Sequence, residues 1–156
     1  MLAPRRSPLR DLAGLPGVSG VITDPDVGQG DFREALRKIP EDTGVVLIDD
    51  AELLMQSEIS PDLVALTRGA AGNGWGLVAG GNAEAMSLGL AGWIGQVKRN
   101  RTGLLLSPQS ITEGELLGVR LSRGVIGQAP QLGRGYLHLG DGTLRTVQVP
   151  ETRIEG

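Results

Sequence analysis

Short aliphatic runs alternate with amphipathic segments along the first two thirds of the chain. Each run is typical of a buried strand: VSGVIT (18–23), VVLID (45–49), GLVAG (76–80) and GLLLS (103–107). The segments between the runs have apolar residues at helical spacing, as in DFREALRKI (31–39). Because strands that alternate with helices form βαβ units, the pattern predicts an α/β fold with a parallel sheet.

Polar residues at the start of the amphipathic segments predict where the helices begin. Ser7 is a plausible N-cap with Pro8 in the first helical position, and Asp31 is a plausible cap for the segment that contains Phe32. Asn82 marks the start of NAEAMSLGLAGWIGQVKRN, whose glycines predict an irregular helix. A further helix is predicted over DLVALTRGAAG (62–72).

The last third of the chain has a different pattern. ITEGELLG (111–118) predicts one short helix, and GRGYLHLGDGTLRTVQV predicts two strands around the turn GDG. There is no internal repeat, low-complexity tract or linker, so we expect residues 1–156 to form a single domain.

Composition narrows the class of protein. The chain has 156 residues, of which 40% are hydrophobic and 21% are charged, as in a soluble globular protein. The formal net charge of −3 gives no reason to expect a nucleic-acid-binding surface. Cysteine is absent, which excludes disulfides and thiolate metal sites and suits a cytoplasmic location. No apolar run is long enough to cross a bilayer.

Two adjacent acidic residues, Asp49 and Asp50, end the most hydrophobic strand. One interpretation is structural, a strand end followed by a helix N-cap. The other is chemical: ligands collect at the carboxyl ends of strands in α/β sheets, and a carboxylate there can hold Mg²⁺. The pair alone does not decide between them.

Five sequence motifs, taken in their order along the chain, resemble those of a known family. PRRSPLRDLAGLPGV, VVLIDDAELL, GLLLSP, LLGVRL and GRGYLHLGDGTLRTVQVP together resemble the C-terminal part of an FtsK/SpoIIIE-type ATPase domain. They are most similar to the degenerate domains of type VII (ESX) secretion ATPases of the EccC kind. The resemblance covers nearly the whole chain. It implies a RecA-like P-loop NTPase core, a parallel sheet with helices on both faces, truncated at the N-terminus and followed by a C-terminal β-hairpin.

The resemblance also implies roles for individual residues. Asp49 and Asp50 would form a Walker B-like pair, with Asp49 near the nucleotide and holding Mg²⁺ through water, and Asp50 orienting the attacking water. Arg68 would be an arginine finger, although a solvated arginine at a helix end is the simpler interpretation. Asn82 would take the place of a residue that senses the γ-phosphate, with helix capping as its alternative role.

Three departures from the family pattern predict a weak or silent ATPase. No G-x-x-x-x-G-K-[ST] motif is present, so the phosphate loop is missing. The acidic pair is Asp-Asp where active members carry Asp-Glu. At the third strand Gly80 and Gly81 replace a Thr-Gln pair. ATP and Mg²⁺ are therefore expected in the intact parent domain and not in this chain alone.

We therefore predict a fragment or degenerate copy of a motor ATPase that drives secreted protein. The alternatives are a non-catalytic protein-interaction module on an ATPase-derived fold and a part of a DNA translocase. The predicted partners are other copies or other ATPase domains of the motor, with secreted protein as a possible substrate and nucleic acid less favoured. The expected location is the cytoplasm, at the inner face of the cell membrane if the parent motor is membrane-anchored, with no direct insertion into the membrane.

Other polar and aromatic residues have simpler interpretations. His138 is the one histidine and lies in the apolar run YLHLG, so we expect a strand residue and not a metal ligand. Trp75 and Trp93 are expected to pack in the core. The stretch SPQS (107–110) is typical of a turn.

Overall fold

The structure is a computed structural model that describes residues 1–39, 44–69, 72, 74–129 and 131–151. The chain divides into two compact units, Met1–Gln96 and Val97–Gly156. The first contains a short parallel sheet and the second an antiparallel sheet, so the protein is mixed α/β. The arrangement of all 156 residues as a single domain stays a prediction.

The helices and strands of the described residues are short. The α-helices are α1 (Gln29–Arg37), α2 (Ser60–Gly69), α3 (Ala83–Ser87) and α4 (Gly92–Arg99). The strands are β1 (Gly44–Ile48), β2 (Trp75–Ala79), β3 (Thr102–Leu106), β4 (Arg134–Leu139) and β5 (Leu144–Gln148). Single 3-10 helices lie at Pro8–Leu12, Ala51–Leu54 and Ile111–Leu117.

The parallel sheet of the first unit confirms two of the predicted strands. β1 pairs with β2 in parallel, from Gly44 opposite Trp75 to Ile48 opposite Ala79. On the other side of β1, Leu2 makes a single parallel bridge to Ile48 and another to Ile22. The pairing of distant segments therefore brings the start of the chain to the side of β1 away from β2.

The predicted strand over residues 18–23 is wrong. In this stretch only Ile22 pairs with another segment, through its bridge to Leu2. The partner segment is followed by Pro4, which has no N–H to continue a ladder. Aliphatic residues such as Val18 and Val21 are therefore not sufficient to form a strand where the neighbouring segment offers one rung.

The core of the first unit is built from aliphatic side chains around one tryptophan. Trp93 is fully buried, and its indole N–H donates to the carbonyl of Leu54 at 3.1 Å. Buried side chains from the other elements of this unit include Leu2, Phe32, Val46, Ile48, Ile59 and Leu63. Trp75, by contrast, is half-buried in β2. The prediction of core packing is confirmed in full for Trp93.

The antiparallel sheet of the second unit contains the predicted hairpin. β4 and β5 pair antiparallel around residues 140–143, as the GDG turn predicts, and Gly140 and Gly142 both have a φ of +80°. β3 pairs antiparallel with β4, so the prediction that β3 belongs to a parallel sheet is wrong. Aliphatic content alone does not set strand direction, because β4 supplies a partner that runs back along β3.

His138 lies inside this sheet, as expected of a strand residue. It is 1% exposed, its Nδ1–H donates to the carbonyl of Arg101, and its Nε2 accepts from the N–H of Gly142 at 3.0 Å. A neutral imidazole with its hydrogen on Nδ1 satisfies these two contacts, because one ring nitrogen donates and the other accepts. The N–H of Gly140, 3.3 Å from Nδ1, is then a close contact and not a hydrogen bond. The histidine thus links β4 to the residue before β3 and to the hairpin turn.

Three predicted helix caps have different outcomes. The side chain of Ser7 accepts from Leu9 N–H at 3.2 Å, which confirms the cap, although the helix is 3-10. Asn82 Oδ1 accepts from Ala85 N–H at 3.0 Å and caps α3. The prediction for Asp31 is wrong, since α1 begins earlier, with Gly28 in the N-cap position.

A capping box escaped the sequence interpretation. Ser110 and Glu113 together cap the N-terminal end of the 3-10 helix Ile111–Leu117: the Ser110 side chain accepts from the backbone of Glu113, and Glu113 Oε1 accepts from Ser110 N–H at 2.9 Å. The stretch 107–110 therefore leads into a helix, and the S-x-x-E spacing was the available signal.

Candidate functional site

The acidic pair lies at the carboxyl end of β1, next to the carboxyl end of β2. Asp49 and Asp50 follow Ile48 directly, and Gly80 follows β2. Gly80 N–H donates to Ile48 O at 2.8 Å, and Ala51 N–H donates to Gly80 O at 3.0 Å. Parallel pairing thus places the two strand ends side by side, which is where α/β sheets bind ligands.

Asp49 is held by the backbone. Its N–H donates to Leu2 O at 2.9 Å, and its Oδ1 accepts from the N–H of Asp50 at 3.1 Å. A methyl group placed on Gly80 would lie 3.6 Å from Asp49 Oδ1, so the position beside the carboxylate carries no side chain. One carboxylate oxygen is used locally, and within the described residues Asp49 forms no salt bridge.

Asp50 has an uncommon backbone conformation. Its φ of 51° and ψ of 47° are left-handed, a region in which Asp and Asn are among the better tolerated residues. It occupies the N-cap position of Ala51–Leu54, but its side chain makes no capping hydrogen bond. Instead, Oδ1 lies 3.5 Å from the Nη1 of Arg5. The structural interpretation is therefore confirmed for the position of Asp50 at the helix N-cap, although its side chain makes no capping hydrogen bond.

A third carboxylate, Glu52, completes the cluster and was missed from the sequence. Its Oε1 lies 3.6 Å from Arg5 Nη1, and its Oε2 accepts from the N–H of Asn82 at 3.2 Å. A methyl group on Gly81 would lie 2.5 Å from Glu52 Oε2, so the glycine leaves room for this carboxylate. The signals in the sequence were a third acid shortly after the pair and the double glycine before Asn82. We name Arg5, Asp49, Asp50, Glu52 and Asn82 the carboxylate cluster.

The remaining predicted site residues lie in simpler surroundings. The Oδ1 of Asn82 is engaged in the cap of α3, although its backbone N–H joins the cluster through Glu52. Arg68 lies in the last turn of α2 and is exposed, where the helix dipole favours a cation. Within the described residues Arg68 forms no ion pair with Asp49 or Asp50. The structure therefore brings Asp49, Asp50 and Asn82 into one cluster, and no ion pair among the described residues joins Arg68 to it.

The carboxylate cluster does not form a metal cage. Within the described parts of the chain, no group of three or more His, Asp or Glu side chains is arranged to hold a metal ion. A single carboxylate such as Asp49 fits an Mg²⁺ ion held through water and by phosphates, since Mg²⁺ keeps several waters in such sites. Asp50 and Glu52 already face the guanidinium of Arg5. The arrangement suits one water-mediated contact from Asp49 and no more.

Comparisons of the chain with protein-family models, with curated proteins and with solved structures give no match. The resemblance to FtsK/SpoIIIE-type ATPase domains therefore rests on the sequence motifs alone. Among the helices that the structure describes, none is both long and apolar enough to span a membrane.

Proposed function

We propose that the chain is part of an FtsK/SpoIIIE-type motor ATPase whose intact form uses ATP to translocate secreted protein. The observation that supports this best is the position of Asp49, at the carboxyl end of a parallel strand and beside a glycine that carries no side chain. A Walker B carboxylate occupies such a position in a RecA-like core. The proposal includes that core, and it assigns to Asp49 the contact with Mg²⁺ through water.

The chain by itself is proposed to be a silent ATPase. No phosphate loop is present in the sequence, and its backbone N–H groups would supply most of the contacts with phosphate. The pairing of Arg5 with Asp50 and Glu52 adds a second reason. Asp50 would have to release this cation before it could orient a water molecule.

The same pairing favours a second candidate, a non-catalytic module that binds a partner protein. In that case the contacts of Arg5 with Asp50 and Glu52, and of Glu52 with the N–H of Asn82, join the ends of β1 and β2. The role of these carboxylates is then to stabilise the fold. A role in a DNA translocase is the weaker alternative, since the net charge of −3 offers no general attraction for nucleic acid.

Other copies of the chain, or other ATPase domains of the motor, are the proposed partners. β2 pairs only with β1, and β3 pairs only with β4, so within the described residues each strand has one unpaired edge. Val78 on β2 and Leu106 on β3 are 58% and 60% exposed. Unpaired edges with exposed aliphatic side chains invite pairing between chains. Sedimentation at micromolar concentration should detect dimers or larger species, and a well-behaved monomer would contradict this.

The gene sequence upstream of the Met1 codon provides the first test of the motor proposal. An in-frame G-x-x-x-x-G-K-[ST] motif supports it. A stop codon close to Met1 in the same frame contradicts it and favours the interaction module.

Calorimetric titration with Mg·ATP tests the silent state of the chain. We expect no heat of binding at micromolar nucleotide, and micromolar affinity would contradict the proposal. In a longer protein that contains the phosphate loop, Asp49→Asn should lower the rate of ATP hydrolysis, because an amide cannot supply the negative charge that the proposal assigns to the contact with Mg²⁺. The matched control is Asp62→Asn in α2, where no such loss is expected.

A further inference from the structure

An apolar groove of about 550 Å³ runs along β1 in the first unit. Its walls come from residues 17–22, from α1 and from β1, on the side of β1 away from β2. The side chains that line it include Val18, Ile22, Phe32, Leu36, Ile39 and Val45. Val45 is 57% exposed, so the groove leaves aliphatic surface in contact with solvent.

The floor of the groove continues a parallel ladder that begins at Leu2. On the β1 side, Leu2 N–H donates to Leu47 O at 2.8 Å, and Asp49 N–H donates to Leu2 O at 2.9 Å. In a parallel ladder the next rung toward the amino end of β1 would use the carbonyl of Val45 and the N–H of Leu47. Within the described residues, the pairing on this side of β1 stops at the carbonyl of Leu47.

On the opposite wall of the groove, Ile22 and Gly20 bond to the same segment, Met1–Ala3, and this ladder extends one step further toward the amino end of the chain. Ala3 N–H donates to Ile22 O at 2.8 Å, and Ile22 N–H donates to Met1 O at 2.9 Å. The Met1 amine then donates to Gly20 O at 2.7 Å, which is half of the following rung. The other half would use the N–H of Gly20, a residue that lines the groove.

We propose that this groove is a strand-addition site, and that its occupant is an extended apolar polypeptide segment in line with Met1–Ala3, joined to Met1 and parallel to β1. Leu2 pairs with Ile22 on one side and with Ile48 on the other. The added residue next to Met1 is two positions before Leu2, so it would lie between Gly20 and Val46. About three added residues would reach the end of the groove, since a strand rises about 3.3 Å per residue. The proposal does not depend on the nucleotide chemistry above.

The register also decides which added side chains face the core. Paired residues in a sheet point to the same face, and successive residues alternate. The added residue next to Met1 would share a face with Val46, which is 4% exposed. The second would share a face with Val45, which is exposed, and the third would share the face of Gly44. Ile39, two residues after α1, lies on that buried face, because its side chain is 2.9 Å from a methyl group placed on Gly44.

The amine of Met1 supports an added peptide bond at this place. Burial lowers the pKa of this amine, because removal from water disfavours its charged form. A peptide N–H at the same position would keep the hydrogen bond to Gly20 O without a charge. A small apolar ligand would suit a groove of this volume, but it would leave the N–H of Leu47 and Gly20 without partners. The backbone groups therefore favour a strand.

The experiment adds three residues directly before Met1, after a new initiator. The test extension is Ile-Thr-Ile, which places isoleucine on the buried face in the first and third positions. We expect the amide exchange of Leu47 and Gly20 to slow at least about tenfold, and the midpoint of thermal unfolding to rise by about 5 °C. The amide of Val46, which faces β2, is the internal control and should change far less.

Two matched extensions separate strand addition from a general effect of a longer chain. Thr-Ile-Thr has similar composition, but it places threonine on the buried face, since a shift by one residue reverses the faces. It should give a smaller gain in the midpoint than Ile-Thr-Ile. Gly-Ser-Gly should give no protection of Leu47. Equal behaviour of all three extensions, or unchanged exchange of Leu47 with Ile-Thr-Ile, would overturn the proposal.

Discussion

The two sheets of this protein differ in where their strands find partners. In the second unit β4 pairs with β5, its neighbour in sequence, on one side and with β3 on the other, so the central strand has a ladder on both sides. In the first unit β1 pairs with β2 on one side, and on its other side the described residues add only the bridge from Leu2. The central strand of the antiparallel sheet is paired on both sides, whereas β1 of the parallel sheet borders an open groove on one side.

The polar side chains of the two sheets differ in the same way. His138 is buried, and both of its ring nitrogens have backbone partners. Asp49 is half-buried and uses one carboxylate oxygen for the N–H of Asp50. A polar group whose bonding capacity is used up serves the fold, and one with capacity left over is a candidate for binding. The following predictions test this contrast.

The largest expected effect is the loss of His138. His138→Ala should lower the free energy of unfolding by about 3 kcal/mol, because it opens a cavity and leaves the carbonyl of Arg101 and the N–H of Gly142 without their partner. Urea denaturation measures the loss, and amide exchange should show it mainly in β3, β4 and β5. The control Leu139→Ala, at a position that is 53% exposed, should cost far less. A loss below 1 kcal/mol for His138→Ala would mean that the ring is not a structural link.

A smaller effect is expected at the double glycine after β2. Gly81→Ala should cost about 1–2 kcal/mol, because the new methyl group would meet Glu52 Oε2 at 2.5 Å and the Sδ of Met86 at 2.9 Å, and both side chains have to move. Gly80→Ala is the matched control, since its nearest contact would be at 3.6 Å. Equal stability of the two variants in thermal denaturation would contradict the packing of Glu52 against Gly81.

Asp49→Asn should change the stability by less than about 1 kcal/mol. The asparagine carbonyl can accept from Asp50 N–H as the carboxylate does, and removal of a charge lowers repulsion within the carboxylate cluster. A loss of several kcal/mol on chemical denaturation would show that Asp49 is a structural hub.

At the next residue Asp50→Ala should cost about 1 kcal/mol and Asp50→Asn less, because alanine tolerates the left-handed conformation poorly.

The smallest effect concerns the turn between β4 and β5. Arg145 Nη2 donates to Asp141 Oδ2 at 2.6 Å and holds the pKa of this exposed carboxyl at about 2. Because the folded pKa is lowered, any stabilisation from the pair is present above about pH 4, the ordinary range of a carboxyl, and is lost as the pH falls toward 2. NMR titration of Asp141 measures the value, and Arg145→Gln should raise it. A pKa near 4 in the unchanged protein would contradict the pairing.

The sequence predicted the elements better than their connections. β1, β2, the hairpin and the caps at Ser7 and Asn82 follow from local signals, namely aliphatic runs, turn glycines and capping residues. The direction of β3 and the single rung at Ile22 depend on partners far away in the chain, which no local pattern specifies. The acidic pair was found in the same local way, at the end of β1. Glu52 and Arg5 were missed because their meeting depends on the fold of residues that are distant in sequence.

The buried Trp93 has a practical consequence for spectroscopy. Trp75 and Trp93 are the two tryptophans of the chain, and both belong to the first unit, whereas the one tyrosine, Tyr136, lies in β4 of the second. Excitation at wavelengths that only indole absorbs should therefore report on the first unit and not on the second. The melting of the first unit can thus be recorded without a label, and a probe of the whole chain, such as circular dichroism, shows whether the second unit melts with it.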